Sequence, residues 1–209
     1  MNILQEIDST LHYENLEKAW HKYKFVFILT LVAIFAGVAG FNAYNTSIEK
    51  QSKNDTTVIF EVIMQKAQSE NYIHVIEKSL EKLETTTGSE TLKLELAKAY
   101  KVDAKLDMYV KTLTELTMAK TQAVKHISTY MLAEHFLATD AKKAIEVIDN
   151  AKIKESAFTY ALLQELKAMA LVKTGDKVAA KVIYNALIAN SNIAANVQER
   201  AKMKLAQIK

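Results

Sequence analysis

The stretch "LKAMALVKTGDKVAAKVIYNALI", residues 166–188, falls into two apolar-patterned halves around Gly175-Asp176. Ala168 and Leu171 share one face of a first helix, and Ala180, Tyr184 and Leu187 share a face of a second. Gly175-Asp176 makes the turn between them. Small side chains let two antiparallel helices close together, and an aromatic fills the wedge beside the next unit.

Small residue, large residue, Gly-Asp turn, small residue, aromatic is the order of a tetratricopeptide repeat. A step back of 36 residues meets Leu132, His135, Thr139-Asp140, Ala144, Ile148 and Ala151. A further 35 meets Ala97, Tyr100, Ala104, Tyr109, Leu113 and Leu116, and another 33 meets Met64, Ala67, Asn71, Ile76, Leu80 and Leu83. The usual period is about 34 residues. Apolar or small residues recur at almost every matched place, but His135 and the missing turn glycines make all units except the last degenerate. Beyond the last unit, Val197, Ala201, Leu205 and Ile208 form one apolar stripe, with Glu199, Arg200, Lys202 and Lys204 outside it. A half-polar helix of this kind caps the exposed end of a helical stack.

The composition agrees. The 209 residues hold no Pro and only four Gly, so almost nothing punctuates a strand hairpin, and Ala, Leu, Lys, Glu and Ile favour helices. With 27 Lys and Arg against 24 Asp and Glu the net charge is +3. The signs alternate without a basic block, which reads as solvated helix faces and argues against nucleic acid. The absence of Cys excludes disulfides and thiolate chemistry.

One segment breaks the pattern. "FVFILTLVAIFAGVAGFNAY", residues 25–44, carries no charge. Twenty helical residues span about 30 Å, the thickness of a bilayer's hydrocarbon core. Its eleven Phe, Val, Ile and Leu residues favour insertion by about 3 to 7 kcal/mol as an upper bound. Trp20, Tyr23 and Tyr44 bracket it as interfacial aromatics do. A buried soluble helix would keep a polar stripe, and this run has none. A cleavable signal has a shorter apolar core and a short basic start, whereas 24 residues with several acids precede this block. The expectation is a retained membrane anchor. Lys18, Lys22 and Lys24 on one side, against Lys50 and Lys53 on the other, leave its orientation open. Ala33, Ala36, Gly37, Gly40 and Ala43 share a face on which a second membrane helix can pack, although chance places small residues in such a span equally well. The tail before it, with Leu4, Ile7 and Leu11 on one face, reads as an amphipathic helix at the membrane surface.

"LEKAWHKYKF" at 16–25, leading straight into the span, resembles the entry to the anchor in the YfgM-type tetratricopeptide family, ancillary subunits of the bacterial SecYEG translocon. "ESAFTYALLQELKAMALVKTGDKVAAKVIYNALI" resembles that family's last repeat, and "ERAKMKLAQI" its closing helix. The chain departs from the family in lacking proline between helices and in carrying Lys where relatives often have Arg. The resemblance implies a cytoplasmic N-terminus, a periplasmic repeat domain in the inner membrane, and a scaffolding or chaperone-network role beside the translocon.

No catalytic constellation is legible. The five His residues lack metal-ligand spacing, and four glycines leave no phosphate loop. Carboxylates such as Glu95 and Asp103 stand amid lysines at ion-pairing distance along a helix. No enzyme activity, cofactor or metal is expected; what remains is surface. In stacked helix pairs the first helix of each unit lines the concave face, where Tyr100, His126, Tyr130, Tyr160 and Gln164 are candidates for gripping a partner protein, with inter-helix packing as the alternative for each tyrosine.

The expected architecture is therefore all-α: a cytoplasmic tail over 1–24, a transmembrane helix over 25–44, a linker or helix extension over 45–56, and a tetratricopeptide-like solenoid of about four degenerate helix pairs with a capping helix over 57–209. The expected function is binding of translocon subunits, chaperones or exported clients in the bacterial envelope. The alternative is a self-associating scaffold without clients.

Overall fold

The computed structural model describes residues 44–66 and 71–208. The chain divides into two units, Met1–Gln51 and Ser52–Lys209. The charge-free run up to residue 43, with Ala33, Ala36, Gly37, Gly40 and Ala43, lies outside the described residues. Among the described residues no helix is long and apolar enough to cross a membrane. Residues 44–51 of the first unit are helical and exposed apart from a partly buried Gln51.

The second unit is helical throughout its described residues, with no strand among them. It begins with α1, residues 52–65. There follow α2 (Tyr72–Leu80), α3 (Thr86–Val102), α4 (Leu106–Leu116), α5 (Gln122–Thr139), α6 (Ala141–Ala151), α7 (Tyr160–Thr174), α8 (Lys177–Ala189) and α9 (Ala195–Ala206). The turns inside each pair arise locally. Gly175 ends α7 at φ 92°, a conformation cheap only for glycine, and the Asp176 carboxylate accepts the Ala179 N–H at 3.0 Å to start α8. Asp140 starts α6 in the same way through the Lys143 N–H. The matched place in the α3–α4 turn holds Ala104 at φ 56°, so an alanine takes the glycine's conformation there.

The repeat pattern is a burial pattern. Ala97, Leu132 and Ala168, one from each of α3, α5 and α7, are buried. So are Ile76, Tyr109, Ala144 and Ala180 on the second helices, followed by Leu113, Ile148 and Tyr184 one turn on. Fully burying a large apolar side chain contributes about 1.5–3 kcal/mol, and the alanines set how closely the helices approach. Three cores follow one another, shared by α1 to α5, by α5 to α7, and by α7 to α9. In the capping helix α9, Val197 and Ala201 are buried, with Leu205 and Ile208 partly buried against the last core.

Two expectations need correction. Met64 is 61% exposed and Val62 takes the buried place, because α1 has no turn signal to set its register. Arg200 does not stay outside: it turns onto Glu165 of α7.

Each helix packs against the next, from α2 to α9. In addition α3 touches α5, α5 touches α7 and α7 touches α9, whereas α2, α4, α6 and α8 make no contact with one another. A stack whose first helices converge while its second helices splay curves with the first helices inside. The inner side of the second unit is thus built from α3, α5, α7 and α9.

Candidate functional site

Where the inner helices meet, one position recurs at an interval of 35 residues: Glu95, Tyr130, Glu165 and Arg200. Glu95 on α3 takes Lys66 at 2.8 Å and Lys98 at 3.2 Å. Burial works against its ionisation, but these hydrogen bonds and charges hold its carboxyl below the ordinary value. Glu165 on α7 is buried and accepts from Arg200 Nη2 at 2.7 Å and Nε at 3.1 Å. A fork geometry of this kind offsets the desolvation of the carboxylate, since a buried charge without its partner is costly. Between them Tyr130 is partly buried; burial, then Glu134 and Glu165, push its hydroxyl up. The ion-pair reading of Glu95 is correct; its reach across to α1 is not visible from helix spacing.

The five candidate partner-binding residues separate. Tyr100 is buried, and its hydroxyl donates to Glu77 of α2 at 3.0 Å, so it fastens α3 to α2. Tyr130 belongs to the inner strip. Tyr160 and Gln164, one turn apart on α7, line a cleft of about 210 Å³ with Val182, Ile183 and Asn190. Tyr160 also lines a larger cleft of about 820 Å³ between residues 155–162 and 190–197, within the size range of sites that bury a ligand. Asn190 Nδ2 donates to Glu155 at 2.8 Å in the wall shared by both. His126 lies at the preceding junction, its ring centroid 5.9 Å from that of Phe158. Its Nδ1 is buried without a protein partner. Burial, then the Lys125 charge, lowers its pKa and favours the neutral imidazole. Among the described residues no three His, Cys, Asp or Glu group to hold a metal.

Sequence reasoning missed the residues that join one repeat to the next. Asp55 on α1 is 2% exposed and accepts the Glu84 N–H at 3.0 Å, the Thr85 N–H at 2.9 Å and the Thr85 hydroxyl. It thereby closes the start of α3. These bonds outweigh burial and keep its carboxyl below the ordinary value. A Cβ at Gly88 would lie 2.3 Å from Asp55 Oδ2, so glycine is required by this approach. One repeat later, Glu90 on α3 accepts the Lys120 N–H at 2.8 Å and the Thr121 N–H at 2.9 Å at the start of α5. Its pKa is lowered in the same way, against burial, by the Thr121 hydroxyl and those N–H groups. Asp55 and Glu90 are 35 residues apart, the repeat interval, which is the signal that would have found them. The next step of 35 lands on Lys125. A cation accepts nothing, and Thr159, at the N-cap position of α7 but making no side-chain cap bond, is 4% exposed with its hydroxyl unpartnered.

Neither a curated protein nor a solved structure matches the chain. The family model described as a tetratricopeptide repeat-like domain matches residues 18–209, nearly the whole sequence. Tetratricopeptide-like domains are non-catalytic modules for binding other proteins, in keeping with a surface of clefts and a strip of paired charges. The chain belongs to the tetratricopeptide repeat-like domain family.

Proposed function

We propose that this protein is a single-pass inner-membrane subunit of the bacterial envelope that holds other proteins on a periplasmic repeat domain, beside the Sec translocon and its chaperones. The observation that carries the reading is the cleft beside Tyr160 and Gln164, open to a peptide-sized occupant at the junction before α9. The Tyr160 ring and the Gln164 amide at such a place can contact a segment while their polar ends hydrogen-bond its backbone. The anchor rests on the charge-free residues 25–44, and it is consistent that the family match begins at residue 18, ahead of that run. Orientation, with residues 1–24 in the cytoplasm, rests on the resemblance of "LEKAWHKYKF" to the YfgM-type entry. Tyr130 and His126 extend the proposed surface toward α5; Tyr100 is left to packing.

A photo-crosslinking residue at position 164 of the full-length chain in intact membranes tests this. Translocon subunits, chaperones or exported clients in the adducts are the expected result. Adducts containing only a second copy would replace the reading with a scaffold assembled through the Ala33, Ala36, Gly37, Gly40 and Ala43 face. In cells with a permeabilised outer membrane, added protease should digest residues beyond 50 and spare the first 24. Protection of the repeat domain would refute the topology.

A further inference from the structure

The junction between α5 and α7 lacks what its two predecessors have. Asp55 and Glu90 each place a carboxylate against the start of the following inner helix, and the same register position at the third junction is Lys125. A cleft of about 330 Å³ opens there, lined by Lys125, His126, Lys152, Lys154 and Ser156 among others, with no acidic residue in its walls. In a chain whose charges are otherwise mixed, three lysines around one small cleft form a concentrated positive field. Among the described residues none of these three ammonium groups has an anionic partner. Two buried polar atoms at the junction are also unpaired: the Thr159 hydroxyl, in the capping place where Thr85 meets Asp55, and His126 Nδ1. The connection 152–159 is longer than 81–85, 117–121 or 190–194 and gives the cleft its outer wall, with Phe158 67% exposed beside His126.

We propose that the α5–α7 junction is a docking site for a carboxylate on an acidic segment of a partner polypeptide, received by Lys125, Lys152 and Lys154 in the place that Asp55 and Glu90 fill at the earlier junctions. The proposal deepens the protein-binding reading by naming the partner's chemistry and rests on that reading alone, not on the anchor or the translocon. A carboxylate is favoured because the equivalent places in this chain are built around one. Charge-assisted N–H···O bonds to lysine need no deep pocket, and the adjoining apolar Phe158 gives a flanking side chain something to cover.

The test uses the full-length chain in detergent with a fluorescent Glu/Gly repeat peptide and its Gln/Gly counterpart. The Glu peptide should bind with a salt-dependent affinity and shift the His126 imidazole resonances, and the Gln peptide should not. Lys125→Glu restores the missing carboxylate from within and should weaken the Glu peptide about tenfold or more, the loss of one charge-assisted contact or its reversal. Lys152→Gln with Lys154→Gln leaves the helices untouched and should weaken it similarly with unchanged circular dichroism, which covers a failure of Lys125→Glu to fold. Equal binding of the two peptides, or full affinity in both variants, overturns the proposal. So does competition by inorganic phosphate as effective as that by the peptide, or binding only to anionic phosphatidylglycerol vesicles. Failure here leaves crosslinking from position 164 unaffected, and loss of that crosslinking leaves peptide binding at Lys125 standing, so the two readings fall separately.

Discussion

The α1–α3 and α3–α5 junctions differ from the α5–α7 junction in the charge at one register position and in the length of the connecting segment. In the first two, a carboxylate from the preceding inner helix receives a pair of backbone N–H groups and neighbours a threonine hydroxyl. In the third, a lysine stands in its place and the Thr159 hydroxyl is buried without a partner. In a stack where each repeat touches only its neighbours, the junctions set how firmly the curve is held. The first two joints add a carboxylate bond to their apolar packing, whereas α5 and α7 are joined by a shared apolar core with a cation at the equivalent position.

Asp55→Ala should break the contrast most severely. It removes the acceptor of two part-buried N–H groups and a hydroxyl, at a cost of about 3 kcal/mol in denaturant unfolding of the full chain. Gly88→Ala should act at the same junction through a 2.3 Å clash with Asp55 Oδ2, costing about 2 kcal/mol, with Asp55→Ala absorbing part of that loss in the double variant. Lys125→Glu should move in the other direction, adding about 1 kcal/mol by giving the third junction its own acceptor. Each is checked by the shift of the unfolding midpoint at constant slope.

Acidification sharpens the comparison further, with the smallest effect. His126 has a folded pKa below its ordinary 6.5, so the unfolded chain takes up the proton first. The stability it contributes falls as pH drops from about 6.5 through its folded value. Asp55 and Glu90 are also depressed, from ordinary values of 3.8 and 4.5, and their contribution is lost only as pH falls below those values through the folded ones. Amide exchange should therefore accelerate around residues 152–160 as pH falls below the ordinary histidine value, while 84–85 and 120–121 stay protected until carboxylates titrate. Simultaneous acceleration at all three would contradict the assignment.

The last repeat was legible because Gly175-Asp176 punctuates it and because Ala168, Ala180 and Tyr184 have the sizes that close packing demands. The first repeat was less so. A step of 33 residues matches Met64, but without a turn glycine the register of α1 is set by Asp55 and Val62, and Met64 is exposed to solvent. The spacing within α9 puts Arg200 outside because it carries no information on other helices; Glu165 lies on another one, a full repeat away. Asp55 and Glu90 were hidden among many acids, and only their spacing against the repeat, not their local pattern, sets them apart. Of the five candidates Tyr160 and Gln164 share a cleft, whereas Tyr100 shows that a tyrosine on the first helix of a pair is as readily used inside the stack.

The most direct measurement is residue-level hydrogen exchange of the full-length chain at neutral pH, with and without the Glu/Gly peptide. Slow exchange is expected at Glu84, Thr85, Lys120 and Thr121 in both conditions, and fast exchange at Phe158 and Thr159 that slows when the peptide binds. Equal protection of the three junctions without peptide, or no change at 158–159 with it, would contradict the claim that the third junction is left open for a partner's carboxylate.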